Sequence, residues 1–128
     1  MFRGFATISY YAADLAAAQT WYTEILGIEP YFQMPGYIEF RVGDYEHELG
    51  IIDAAYAPPG GVGPAGVVMQ WHVDDVAATL RRLLEHGATE YQPVTDRGQG
   101  FVTASVVDPF GNIVGFMYNP HYLEILER

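Results

Sequence analysis

The sequence predicts an α+β fold made of two βαβββ modules, one in each half of the 128-residue chain. Three observations predict it. A connector at residues 57–66 contains three prolines and four glycines, which interrupt helices and strands. Each half opens with a short apolar strand, an aspartate and an amphipathic helix. Three strand-like segments then follow each helix. The predicted domain, 1–128, divides into module one at 1–56, the linker at 57–66, module two at 67–120 and a C-terminal tail at 121–128.

The helix of each module is marked at both ends. Asp14 precedes the first periodic run and Asp75 precedes the second, and an aspartate side chain can accept the unpaired N–H groups of a helix N-terminus. Gly27 and Gly87 close the two runs, as expected for a residue that adopts a left-handed conformation without steric cost. Because the two halves share this order, the sequence indicates an internal repeat.

The strand predictions rest on alternation and on turn residues. Ile38, Phe40 and Val42 alternate with polar or amphipathic residues, which predicts a strand with one face against the helix. The run Asp108–Asn112 is typical of a tight turn before the last strand. The tail is predicted to form a short helix. The predicted strands after the two helices are 29–33, 36–43, 47–53, 88–94, 101–108 and 112–118.

Charge and composition exclude several functions. Sixteen acidic residues face six basic residues, and a net charge of −10 disfavours binding to nucleic acid. All six basic residues are arginine, so no lysine is present for Schiff-base chemistry or a P-loop. The chain has no cysteine, and we see no leader or apolar run long enough for a membrane span. We therefore expect a cytoplasmic protein with no membrane or nucleic-acid partner.

The order of these motifs resembles the vicinal-oxygen-chelate superfamily, which includes glyoxalase I, extradiol dioxygenases, fosfomycin-resistance proteins and bleomycin-binding proteins. The resemblance rests on Asp14 and the helix end Trp21–Gly27, and on the turn Asp108–Asn112 before the last strand. It implies that each module curls its four mixed-sheet strands into half a barrel with its helix outside. It also implies that two modules enclose a concave pocket and that the protein forms a homodimer.

The resemblance implies four positions at which the family's metalloenzymes hold a divalent ion with His, Gln or Glu. The two first-strand positions fall on Thr7 and Val68, and the last-strand positions fall on Glu48 and Gly115. Threonine, valine and glycine are poor ligands for Zn²⁺, Fe²⁺ or Mn²⁺. We therefore expect no metal and no cofactor.

Alternate residues of the strands are expected to face the implied concavity. They combine hydroxyls, amides and carboxylates with aromatic surface, which is typical of small-molecule sites. The predicted ligand-binding set is Thr7, Ser9, Tyr11, Glu39, Arg41, Glu48, Gln70, His72, Thr103, Ser105, Gly115 and Met117.

We interpret the chain as a metal-independent small-molecule binding protein that sequesters a cationic or aromatic antibiotic. One alternative is a metal-dependent lyase, isomerase or dioxygenase with displaced ligands, namely Glu48, Gln70 and His72. Another is a domain whose ligand is unrelated to drugs. His72 near Glu48 could also act as a general acid or base, because histidine titrates near neutral pH. The sequence contains no G-x-S-x-G motif for a serine nucleophile.

Overall fold

The chain forms two compact units, Met1–Gly63 and Pro64–Arg128, which are each described by themselves. A computed structural model describes residues 1, 3–58, 63–64 and 67–128. The boundary between the units falls within the predicted linker, and residues 59–62 and 65–66 of that linker lie outside the described residues.

The first unit has the predicted βαβββ order. Its sheet runs β1-β4-β3-β2, with β1 parallel to β4 and the other pairs antiparallel. The elements are β1 (Thr7–Ala12), α1 (Leu15–Leu26), β2 (Phe32–Met34), β3 (Tyr37–Val42), β4 (His47–Asp53) and a 3₁₀ helix (Ala54–Tyr56).

One face of this sheet packs on α1 and forms the core of the unit. Phe40, Ile51 and Ala12 are completely buried because alternate strand residues point to the helix side. Removing such side chains from water is the main favourable contribution to folding. The buried apolar residues of β1, β3, β4 and α1 are Tyr10, Ala12, Ala18, Tyr22, Ile38, Phe40, Leu49 and Ile51.

The predicted helix ends are confirmed with one difference. The Asp14 side chain accepts the Ala17 N–H at 3.0 Å, and Gly27 caps α1 in the left-handed conformation with φ 70°. The Asp75 side chain caps α2 in the same way. At the end of α2 the cap is His86, and the predicted Gly87 follows it with φ 93°.

The second unit repeats the order and adds a helix. Its sheet runs β5-β8-β7-β6, with β5 parallel to β8. The elements are β5 (Gln70–His72), α2 (Val76–Glu85), β6 (Thr89–Gly98), β7 (Phe101–Val107), β8 (Ile113–Tyr118) and α3 (Pro120–Leu126). The α+β prediction of two βαβββ modules with mixed sheets is thus confirmed.

Strand β6 is longer than the predicted 88–94. It continues to Gly98 because irregular pairing with β7 between Gln92 and Thr95 accommodates Pro93, which has no N–H for the ladder. Helix α3 lies in the predicted tail, apart from Pro120, and Asn119 caps it. None of the described helices is long and apolar enough to cross a membrane.

Candidate functional site

The sheet face of the first unit that points away from α1 carries all six predicted site residues of that unit. Thr7 of β1 pairs with Glu48 of β4, which pairs in turn with Arg41 of β3. Residues paired across neighbouring strands share a face. Alternation then places the remaining predicted residues on the same face, namely Ser9, Tyr11 and Glu39. We call this surface the acidic face.

Arg41 lies between two carboxylates on the acidic face. Its Nε is 3.5 Å from Glu39 Oε2, its Nη2 is 3.3 Å from Glu48 Oε1, and its guanidinium lies 4.0 Å from the centre of the Tyr31 ring. The Glu39 side chain is 14% exposed and that of Glu48 is 37% exposed. Glu48 is therefore the more accessible carboxylate, whereas Glu39 has contacts at both oxygens.

Tyr37 completes this group, although it was not in the predicted set. Its hydroxyl donates to Glu39 Oε1 at 2.7 Å. A Cβ at Gly50 would lie 2.8 Å from the Tyr37 ring and hydroxyl, so the ring can lie across β4 because residue 50 has no side chain. The alternation of 37, 39 and 41 puts Tyr37 on this face, but its contact with Gly50 joins two strands and is not visible in the sequence.

Burial, the hydrogen bond to Glu39 and the nearby charges of Glu39 and Glu48 raise the pKa of Tyr37 from 10.0 to about 12. The unfolded chain ionises this tyrosine at the lower pKa. The difference therefore stabilises the fold below pH 10, and that contribution is lost as the pH rises from about 10 to about 12. We expect Tyr37→Phe to lessen this alkaline loss, measured as the free energy of unfolding in denaturant at each pH.

Glu39→Gln tests the contribution of Glu39 to the raised pKa of Tyr37. Removal of this carboxylate charge should lower the folded-state pKa of Tyr37, so the Tyr37-dependent loss of stability should become smaller and end at a lower pH. An alkaline loss of the same size in Tyr37→Phe and in the wild type would contradict the prediction.

Exposed apolar side chains border the carboxylates. Phe32 and Met34 of β2 pair with Glu39 and Tyr37 of β3, and both are about half exposed. Tyr31 is 66% exposed. These three residues were not in the predicted site: the strand was predicted at 29–33, whereas β2 spans Phe32–Met34, and this short segment shows no clear alternation. The acidic face thus combines negative charge with exposed aromatic and thioether surface.

The second unit brings together its own six predicted residues. Gln70, Gly115, Ser105 and Gln92 form one row across β5, β8, β7 and β6. The neighbouring row on the same face contains His72, Met117 and Thr103. We call this surface the amide face.

Two residues that contact the amide face, Gln92 and Arg97, were not in the predicted set. Ser105 is completely buried, and its hydroxyl donates to Gln92 Oε1 at 3.0 Å. Arg97 Nε donates to Thr103 Oγ1 at 3.1 Å. Both missed residues lie on β6, whose irregular pairing alters simple alternation.

His72 is packed against α3 rather than standing free. Its ring stacks on Tyr122, with centroids 4.7 Å apart and an interplanar angle of 12°. Its Nδ1 accepts the Asn119 N–H at 3.1 Å. These contacts hold the ring in one orientation, with Nδ1 paired and Nε2 without a hydrogen-bond partner among the described residues.

The four family metal positions lie in pairs, one pair in each unit. Thr7 is beside Glu48, and its hydroxyl donates to the Glu48 carbonyl oxygen at 3.2 Å. Val68 is beside Gly115, since its Cγ1 is 2.9 Å from where a Gly115 Cβ would lie. Among the described residues no group of three His, Cys, Asp or Glu could hold a metal ion. The donor set at these positions does not fit a divalent metal.

Solved structures similar to this chain share its fold. A glyoxalase-related enzyme from Fulvimarina pelagi is 23% identical over 93% of this chain and 90% of its own, with a TM-score of 0.74. A bleomycin resistance determinant encoded on transposon Tn5 is 22% identical over 91% and 98%, with a TM-score of 0.66. A lactoylglutathione lyase from Agrobacterium tumefaciens is 22% identical over 91% and 94%, with a TM-score of 0.67.

Sequence comparison identifies the family. A search of curated proteins returned no significant match. The model of the Glyoxalase/Bleomycin resistance protein/Dioxygenase superfamily matches residues 4–116, which is most of the chain. The chain therefore belongs to this superfamily, as the sequence motifs predicted.

Proposed function

We propose that the protein is a metal-independent binding protein for a small, flat organic cation, and that it sequesters an antibiotic of this kind. The observation that carries the proposal is the acidic face, where Arg41 links the Glu48 carboxylate to the exposed Tyr31 ring and where Phe32, also exposed, pairs with Glu39. Such a surface can attract a positive charge and stack on a planar ring.

The charges of the acidic face favour a cation over an anion. Glu39 and Glu48 contribute two negative charges and Arg41 one positive charge, so this group carries −1, and the whole chain carries −10. Arg41 Nη2 lies 3.3 Å from Glu48 Oε1, and Glu48 is the more exposed of the two carboxylates, so a ligand cation can reach it. Exposed ion pairs contribute little free energy, so a ligand cation can compete with Arg41 for Glu48.

The metal independence rests on the side chains at Thr7, Val68 and Gly115, which offer neither imidazole nor carboxylate. We further propose that the protein acts in the cytoplasm as a homodimer, in line with the absence of cysteine and with the family resemblance.

Calorimetric titration of metal-free protein tests this function. The probes are naphthalene-2-carboxamidine, which is a flat cation, and naphthalene-2-carboxylate, which has the same ring and the opposite charge. We expect the cation to bind more tightly than the anion. We expect Glu48→Gln to lower the affinity for the cation by about tenfold, as for loss of a charged hydrogen-bond partner. Bleomycin is a third probe, because the similar protein encoded on Tn5 is a bleomycin resistance determinant.

Glu46→Gln is the matched control, since it removes the same charge from an exposed residue in the turn before β4. Its affinity for the cation should stay close to that of the wild type. Equal binding of the cation and the anion would contradict a cation site. Tight one-to-one binding of Zn²⁺, Mn²⁺ or Fe²⁺ would contradict metal independence and favour a metal-dependent enzyme.

A further inference from the structure

We infer that strand β5 carries a hydrogen-bonding pair that recognises a neutral amide group of the ligand, with His72 as donor and Gln70 as acceptor. The inference rests on the proposed small-molecule binding and adds a second chemical class of ligand group to it. The evidence is that each side chain has a buried polar atom without a hydrogen-bond partner among the described residues.

The contacts of His72 determine which ring nitrogen carries its proton. Nδ1 accepts the Asn119 N–H, so Nδ1 is unprotonated and the neutral ring carries its proton on Nε2. The side chain is only 9% exposed and is stacked on Tyr122. The Asp74 carboxylate lies 3.6 Å from Nε2, which is too far for a hydrogen bond, and its side chain is 95% exposed. His72 therefore presents a buried, oriented N–H donor.

Gln70 presents the complementary acceptor. Its Oε1 is buried without a hydrogen-bond partner in the described part of the chain. The same atom lies 2.9 Å from where a Gly115 Cβ would be, so the amide occupies space that any larger residue at 115 would take. The neighbouring Ser105 hydroxyl donates to Gln92 instead.

The spacing of the two groups suits an amide. Both residues lie on the same strand face, two positions apart, which is about 6.6 Å along an extended strand. The C=O and N–H of a trans amide point to opposite sides, so one such group can accept from His72 and donate to Gln70. A buried donor and a buried acceptor left unpaired both destabilise the fold, and a bound amide would pair both.

Two fragments that differ in one group test the inference. N-methylbenzamide has a carbonyl and an N–H, whereas methyl benzoate has a carbonyl and an ester oxygen. We expect both to shift the backbone NMR signals of β5 and β8, with the amide binding about tenfold more tightly because only it can donate to Gln70. Gln70→Met should reduce this ratio to about one, as it removes the acceptor at similar volume.

Gln33→Met is the matched control, since Gln33 is an exposed glutamine in the other unit, and it should keep the wild-type ratio. The ¹⁵N shifts of the His72 ring should show the proton on Nε2, and a proton on Nδ1 would overturn the inference. Equal binding of amide and ester at β5, or no shift there with either fragment, would also overturn it. The amidine titration decides the cation-binding function separately, because that function concerns Glu48.

Discussion

Asp108→Ala is expected to lower the free energy of unfolding by about 2–4 kcal/mol, because it removes a buried, charged acceptor of several hydrogen bonds. Asp108 is 3% exposed. Its Oδ1 accepts the N–H groups of Phe110 at 2.9 Å and Asn112 at 2.8 Å, and its Oδ2 accepts from Asn112 Nδ2 at 2.9 Å. This carboxylate therefore stabilises the turn that connects β7 to β8. Denaturant unfolding of the variant measures the loss.

Asp96→Ala is the control for the Asp108 prediction. Asp96 lies in an exposed stretch of β6, and its side chain accepts the Gly98 N–H at 2.8 Å. We expect this variant to lose about 0.5–1.5 kcal/mol, the usual net value of one such bond. Equal losses in the free energy of unfolding would contradict the prediction, because burial and the additional hydrogen bonds at Asp108 would then contribute nothing to stability.

Gly115→Ala is expected to destabilise the protein by about 1–3 kcal/mol, the usual cost of forcing an extra methyl group into a packed site. A Cβ at this position would lie 2.5 Å from the Met69 carbonyl oxygen, which belongs to the backbone and cannot rotate away. Gly115→Glu, which would place a carboxylate at this family metal position, meets the same obstacle. We therefore expect it to destabilise the fold and not to create a metal site, as measured by denaturant unfolding and zinc titration.

Gly63→Ala is the matched control for the Gly115 variants. Among the described residues a Cβ there would meet nothing within 4 Å, so we expect the change to leave stability almost unaltered. If Gly115→Glu were as stable as the wild type and bound zinc tightly, that result would contradict both this prediction and the proposed metal independence.

Local features of the sequence were sufficient for most of the elements. An aspartate cap, a 3.6-residue period and a closing glycine act within one or two turns of helix, and they located α1 and α2 correctly. Strand β4 was predicted with its observed bounds, His47–Asp53. Strand β6 was predicted too short, because its last residues pair only through irregularities that depend on β7.

The candidate residues were predictable as sets but not as contacts. Alternation along each strand predicted that Glu39, Arg41 and Glu48 share one face of the sheet. The pairing of β3 with β4 confirms that they do. Alternation could not show that Glu39 has contacts at both carboxylate oxygens or that the His72 ring stacks on α3. The Glu39 contacts depend on the side-chain conformations of Tyr37 and Arg41, and the His72 stack joins residues far apart in the chain.

By itself, the sequence determined the repeated βαβββ order, the superfamily and the unusual residues at three of the four family metal positions. These follow from residue type and from spacing within one element, which short-range geometry controls. Tertiary structure alone decided which polar atoms are paired and which are left without a partner. Tyr37 lies over Gly50 and Gln70 over Gly115 because strand pairing brings them together, and pairing between distant segments depends on the packing of the whole sheet.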